Sequence, residues 1–176
     1  ASDVYKRQAG DGENFKYMKQ AILYHDDSRP VHYEGDFDLT TSDFISRMYP
    51  NGEMMEKLGT RQPITVSMFE NIANSLAADN TPITAEMYRG KPVVLCEFAH
   101  AMENSLGNFQ EFMDAFEKYD NLCGGFIWDF VDQAIHKKEN GVDKWLYGGD
   151  FDEGATSGYF CANGIIAADR TPHPSY

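Results

Sequence analysis

The run Pro92-Val93-Val94-Leu95-Cys96-Glu97-Phe98-Ala99-His100 constrains this chain more than any other segment. Its apolar residues lead without a polar break into one carboxylate, and a histidine follows three positions later. A strand buried on both faces reads as a short continuous apolar run, because helices cover a parallel sheet from either side. In barrel enzymes the chemistry sits at the carboxyl ends of such strands. A glutamate there is costly to desolvate, which points to a function. The plainer alternative is an ordinary strand whose last side chain has reached solvent.

The neighbouring segments repeat the design. Phe126-Ile127-Trp128-Asp129-Phe130 follows Gly124-Gly125, Phe44-Ile45 leads through Ser46-Arg47 to Met48-Tyr49, and Pro30-Val31-His32-Tyr33 leads to Glu34-Gly35-Asp36. Leu106, Phe109, Phe112, Met113 and Phe116 share one face at helical spacing, as do Met68, Phe69, Ile72, Ala73 and Leu76. These stripes are read as core faces rather than a cofactor site. Phe15, Met18 and Ile22 mark a weaker helix, and a short one is expected around Glu53 to Leu58. The order helix, strand, strand, helix, strand, helix, strand predicts a parallel α/β sheet. No helical pattern fills the gap between Tyr33 and Phe44, so one crossover is expected to be degenerate.

The net charge is −13, from 28 acidic and 15 basic residues, which argues against nucleic acid as a partner. No apolar run approaches the roughly 20 residues that span a bilayer, so no membrane partner is expected. The five histidines show no zinc-binding spacing. Cys96, Cys123 and Cys161 are too far apart in sequence for a compact metal motif and read as buried thiols of a reducing, cytoplasmic compartment.

The stretch Glu97-Phe98-Ala99-His100-Ala101-Met102-Glu103-Asn104-Ser105-Leu106-Gly107 closely resembles the nucleophile region of bacterial β-galactosidases of glycoside hydrolase family 2. Collinear similarity runs through Ser28-Arg29-Pro30-Val31-His32-Tyr33-Glu34-Gly35, Met48-Tyr49, and Gly124 to Gln133. It continues through Tyr147-Gly148-Gly149-Asp150-Phe151, Phe160-Cys161-Ala162-Asn163-Gly164 and Asp169-Arg170-Thr171-Pro172-His173-Pro174. At Glu103 the family usually has glycine. The resemblance implies the second half of a (β/α)8 TIM barrel, from the helix after strand four through strand eight and into the following loop. A complete barrel needs roughly 250 residues, and this chain has 176.

Asp3-Val4-Tyr5-Lys6-Arg7-Gln8 looks like the translated end of a sequencing adapter. Residues 1–8 are therefore expected to be foreign, with a genuine polar arm as the alternative, and 9–176 to be the partial barrel. Ala9-Gly10-Asp11-Gly12-Glu13-Asn14-Phe15 resembles the family segment after the catalytic acid/base glutamate. That glutamate is expected at the position of Gln8.

The resemblance also implies roles. Glu97 is expected to be the nucleophile of a retaining β-galactosidase that acts on terminal β-galactosides such as lactose. Tyr49 resembles the tyrosine that hydrogen-bonds the nucleophile, His100 the histidine that binds a sugar hydroxyl, and Trp128 the aromatic floor of the galactose site. Met48 and Asn163 are further expected substrate contacts. Asn163 and the main-chain carbonyl of Phe160 resemble ligands of Na⁺ or K⁺, and a Mg²⁺ site would draw mostly on residues upstream. A homo-oligomeric parent protein is expected. The alternatives are a β-glucuronidase or β-mannosidase of the same family, or a non-catalytic sugar-binding piece, since no acid/base glutamate is present.

Overall fold

The computed structural model describes residues 12–36, 39–64 and 84–176. The chain divides into two compact units, the first of residues 2–96 and 110–125, the second of residues 97–109 and 126–176. The helix expected over Met68 to Leu76, and residues 1–8 with Gln8, lie outside the described residues.

A three-stranded parallel sheet carries the fold, with β1 (Ile45–Met48), β2 (Val93–Phe98) and β3 (Leu122–Ile127) in that order. Hydrogen bonds at both ends of β2 show the shared direction. Val93 N donates to the Asn121 carbonyl at 2.8 Å where β2 and β3 begin, and Trp128 N donates to the Phe98 carbonyl at 3.0 Å where they end. Val93 and Leu95 are almost wholly buried, as the apolar run predicts. The last two residues of β2 and of β3 belong to the second unit. This is the open α/β sheet expected of part of a barrel.

In the first unit, α1 (Glu13–His25) precedes the sheet and α2 (Gly52–Gly59) follows β1. The Asn51 side chain caps α2 by accepting from Met54 N at 2.8 Å, and Met54, Met55 and Leu58 are its buried face. The last residue of α2 must be small: a Cβ on Gly59 would lie 2.3 Å from the Tyr119 ring. A 3₁₀ turn (Ala85–Tyr88) leads to β2, and α3 (Phe109–Lys118) connects β2 to β3.

Several expectations need correction. Pro30 to Tyr33 form no strand. Side chains replace a ladder there: Asp43 accepts from Val31 N at 2.7 Å and Ser42 Oγ from Tyr33 N at 2.8 Å. Leu106 falls outside α3, because Asn108 adopts a left-handed backbone (φ 59°) just before the helix starts. The stripe Phe109, Phe112, Met113 and Phe116 is half-buried rather than core. Met18 and Ile22 of α1 are exposed. Gly124 and Gly125 lie within β3 rather than ahead of it. The cysteines are free thiols, but Cys123 is exposed and the other two are only half-buried.

The second unit holds a hairpin that the strand reading overlooked, β4 (Ile135–Glu139) and β5 (Val142–Leu146). Its turn residues Asn140 and Gly141 have φ of 50° and 81°. An Asn-Gly turn with two positive φ values is the preferred closure of a tight hairpin, so the signal was local and present. Beyond the sheet and the hairpin, isolated bridges join Val131 with Ile166 and Ile166 with Pro172. Gly158–Cys161 forms a 3₁₀ turn.

Candidate active site

Each strand of the sheet ends in an unusual backbone. Tyr49, next after β1, has φ 47°, and Ala99, next after β2, has φ 51°. The Trp128–Asp129 peptide after β3 is cis. Left-handed conformations of residues other than glycine cost free energy and gather where side chains are aimed for function. Met48, Tyr49, Glu97, His100 and Trp128 stand at or next to these strand ends, whereas Phe160 and Asn163 lie in and after the later 3₁₀ turn.

In the second unit, Glu97 is the penultimate residue of β2 and is buried, only 8% exposed. The plainer alternative of a carboxylate that has reached solvent does not hold. His100 follows the left-handed Ala99, and its ring lies 5.6 Å from that of Phe160. Ser105 Oγ donates to the His100 and Met102 carbonyls, each at 2.5 Å, and closes this loop on itself. Glu103 takes φ 58°. The backbone thus has a shape that suits glycine, at a cost to the glutamate.

Trp128 is half-buried and tied to the β2 loop through its backbone, its carbonyl accepting from Ala101 N at 2.9 Å. Beyond it, residues 129–132 run beside residues 163–166. Asp129 N donates to the Asn163 carbonyl at 2.6 Å, and Ile165 N returns a bond to the Asp129 carbonyl at 3.0 Å. Asn163 is 2% exposed. Its Nδ2 donates to the Phe160 carbonyl at 3.1 Å, while its buried Oδ1 has no hydrogen-bond partner. A buried amide oxygen without a partner is unfavourable unless something outside the described chain satisfies it. Asn163 and the Phe160 carbonyl present two neutral oxygens, the donor type that suits a hard cation. The Phe160 carbonyl already accepts from Asn163 Nδ2, so Oδ1 is the oxygen left open. Among the described residues, no group of three His, Cys, Asp or Glu side chains could hold a metal.

Met48 and Tyr49 belong to the first unit: Met48 is buried at the end of β1, and Tyr49 is half-buried. Arg47, between Ser46 and Met48, is 3% exposed and donates from Nη1 to the Ser46 carbonyl at 2.6 Å. Burial pulls its pKa below the usual arginine value, and the charges of Glu34, Tyr88 and Cys96 oppose that shift. Burial likewise pushes the Tyr88 phenol up to about 12, with the Arg47 charge acting against it.

Sequence reasoning gave no role to Asp132, Gly164 or His173, although all three lie within the similar segments. Asp132 Oδ1 accepts from Gly164 N at 2.8 Å, and Oδ2 meets His173 Nε2 at 2.7 Å. The glycine directly after Asn163 was the available signal.

Residues 6–176 match the family described as glycosyl hydrolases family 2, TIM barrel domain. The chain belongs to glycoside hydrolase family 2. A β-galactosidase of Klebsiella pneumoniae (strain 342) is 41% identical over 170 residues, which is 96% of this chain. Those of Pectobacterium atrosepticum and Photobacterium profundum are 38% and 39% identical over the same share. The chain spans 15% of the length of each of these relatives. Among solved structures, a β-glucuronidase from Ruminococcus gnavus in complex with N1-substituted uronic isofagomine aligns with 95% of this chain and 28% of its own. The TM-score is 0.46 and the identity 17%, a likeness too slight to argue from. Within this family-2 barrel segment, the buried glutamate is next to last in a parallel strand, close to where the strand pattern places it.

Proposed function

We propose that the protein containing this chain is a retaining β-galactosidase and that Glu97 is its nucleophile. The observation that carries the reading is a buried carboxylate at the carboxyl end of β2, in a chain about 40% identical to β-galactosidases along nearly its whole length. Retaining glycosidases place two carboxyl groups about 5–5.5 Å apart across the scissile bond. Glu97 attacks the anomeric carbon and forms a glycosyl ester while the bond to the leaving oxygen breaks. The second carboxyl group gives that oxygen its proton. The resulting carboxylate then takes a proton from water, whose oxygen displaces Glu97 and restores the original configuration.

Tyr49 is assigned to hydrogen-bond the nucleophile and His100 to bind a sugar hydroxyl. Trp128 is assigned to the apolar C–H face of the pyranose, and Met48 to a further substrate contact. Asn163 and the Phe160 carbonyl would hold Na⁺ or K⁺, which supplies positive charge for a galactosyl hydroxyl. The Mg²⁺ site is assigned mainly to residues upstream of this chain. The 176-residue chain by itself is expected to be inactive, because the resemblance implies the acid/base glutamate at the position of Gln8 and an amide cannot supply the proton. Lactose as substrate, a cytoplasmic location and a homo-oligomeric assembly complete the proposal.

The test is Glu97→Gln in the full-length protein, with labelling by a fluorinated galactoside inactivator. Turnover is expected to fall by several orders of magnitude with folding intact, and the label should reside on Glu97. A label on any other residue would overturn the assignment.

A further inference from the structure

The Asp132 carboxylate makes contacts that the proposed chemistry does not use. One oxygen accepts from Gly164 N at 2.8 Å and the other meets His173 Nε2 at 2.7 Å. A carboxylate only accepts, so Nε2 carries the hydrogen in this contact. Asp132 N also donates to the Ile166 carbonyl at 2.9 Å, and His173 N to the Ile165 carbonyl at 3.0 Å. Segments 32 and 41 residues apart in sequence from Asp132 are thereby closed around one side chain.

What they close around is Asn163. Its carbonyl is bonded to Asp129 N, the next amide in the chain is bonded to Asp132, and its side chain is buried with Oδ1 unpartnered. The approach is so tight that a Cβ on Gly164 would lie 2.3 Å from Asp132 N and 2.4 Å from the Val131 carbonyl carbon. The position of the Asn163 amide oxygen therefore depends on a backbone that the Asp132 carboxylate holds. That carboxylate is in turn oriented by a histidine whose side chain is 39% exposed.

We propose that Asp132 and His173 form a clasp that positions Asn163 for its ligand. Both are positioning residues that act through the Gly164 amide, and the inference rests on the reading that Asn163 Oδ1 contacts a monovalent cation at the sugar site. Without His173, Asp132 Oδ2 loses its donor and the carboxylate is free to turn away from Gly164 N. Outer hydrogen-bond partners of this kind typically change ligand affinity about 10–100-fold when removed.

The test uses the full-length protein with His173→Ala, His173→Gln, Asn163→Ala and the double variant His173→Ala/Asn163→Ala. Two quantities are read. One is the apparent cation constant, taken from the rise in melting temperature as KCl or NaCl replaces choline chloride at fixed ionic strength. The other is the separate change in KM and kcat with a chromogenic galactoside. His173→Ala is expected to weaken cation binding and raise KM by about tenfold, with a smaller change in kcat. His173→Gln, which retains a donor, should recover most of the loss. The double variant should be no worse than Asn163→Ala, because both substitutions act on one group.

Additive losses, or a His173→Ala protein with wild-type cation constant and KM, would overturn the clasp. If Asn163→Ala leaves the cation constant unchanged, the cation reading falls instead. The KM comparison across the four variants then still decides whether His173 acts through Asn163.

Discussion

The two units are held together by different means. Of the buried apolar side chains described, all but Phe98 and Ala101 lie in the first unit, where Ile45, Leu58, Val93 and Leu95 are almost fully enclosed. In the second unit the buried residues include Glu97 and Asn163, and order comes from hydrogen bonds between loops. Tyr159, Phe160, Phe130 and Phe151 are exposed there. The contrast teaches how the work of a barrel segment is divided. Apolar strands and helices set a scaffold that tolerates approximate packing, whereas loops beyond the strand ends must hold polar groups at defined places.

If that contrast is correct, the largest stability loss should come from the first unit. Leu95→Ala in the full-length protein should destabilise this domain by about 2–5 kcal/mol, since it leaves a cavity in an enclosed site. The loss should appear as a lower melting temperature. A shift of less than a degree would remove Leu95 from the core.

The two close-packed glycines sharpen the comparison. Gly164→Ala drives a methyl into the backbone of Val131 and Asp132, which cannot swing aside, and should cost about 3 kcal/mol. Gly59→Ala meets the Tyr119 ring at its root, Cγ, 2.4 Å away, so the whole side chain must shift, but the helix gains propensity and about 2 kcal/mol is expected. Parallel melts of the two variants check the order. A Gly59→Ala protein less stable than Gly164→Ala would reverse the argument that polar loops are the less forgiving region.

Relief of backbone cost should be smaller and of opposite sign. Glu103→Gly removes the penalty of a left-handed glutamate and should stabilise by up to about 1 kcal/mol. A melting temperature below that of the parent protein would show that the Glu103 side chain makes a contact worth more than the strain.

The smallest effect concerns the hairpin. Glu139 lies between Lys137 and Lys144, each at 2.6 Å, and hydrogen bonds from both ammonium groups draw its pKa down to about 2. The folded value lies below the unfolded one, so the contribution is present above about pH 4.5 and is lost as pH falls toward 2. The group is fully exposed, so salt should screen the interaction. An NMR titration of the Glu139 carboxylate should show a depressed midpoint in low salt that moves back toward the ordinary value in 1 M salt. An ordinary midpoint in low salt would mean that the lysines do not hold it in solution.

What was legible in the sequence was local. Val93 to Leu95 predicted a buried strand ending in Glu97, and Glu53 to Leu58 a short helix that is observed as α2. The Asn140-Gly141 turn was legible too, though it was overlooked in favour of longer apolar runs. Pro30 to Tyr33 misled because apolar character cannot reveal that Ser42 and Asp43 would take up the backbone groups. Leu106 misled because helical spacing continued past the left-handed Asn108.

By itself, then, the sequence determined the strand that carries the carboxylate, the parallel α/β class and, through resemblance, the family. Only the tertiary structure decided that Glu97 is buried, that Asn163 Oδ1 is enclosed without a partner, and that Asp132 and His173 close on the Gly164 amide. The physical reason is range. Period and turn chemistry act over a few residues and leave a pattern that can be read. A carboxylate choosing an amide 32 residues away and an imidazole 41 residues away leaves none until the chain has folded.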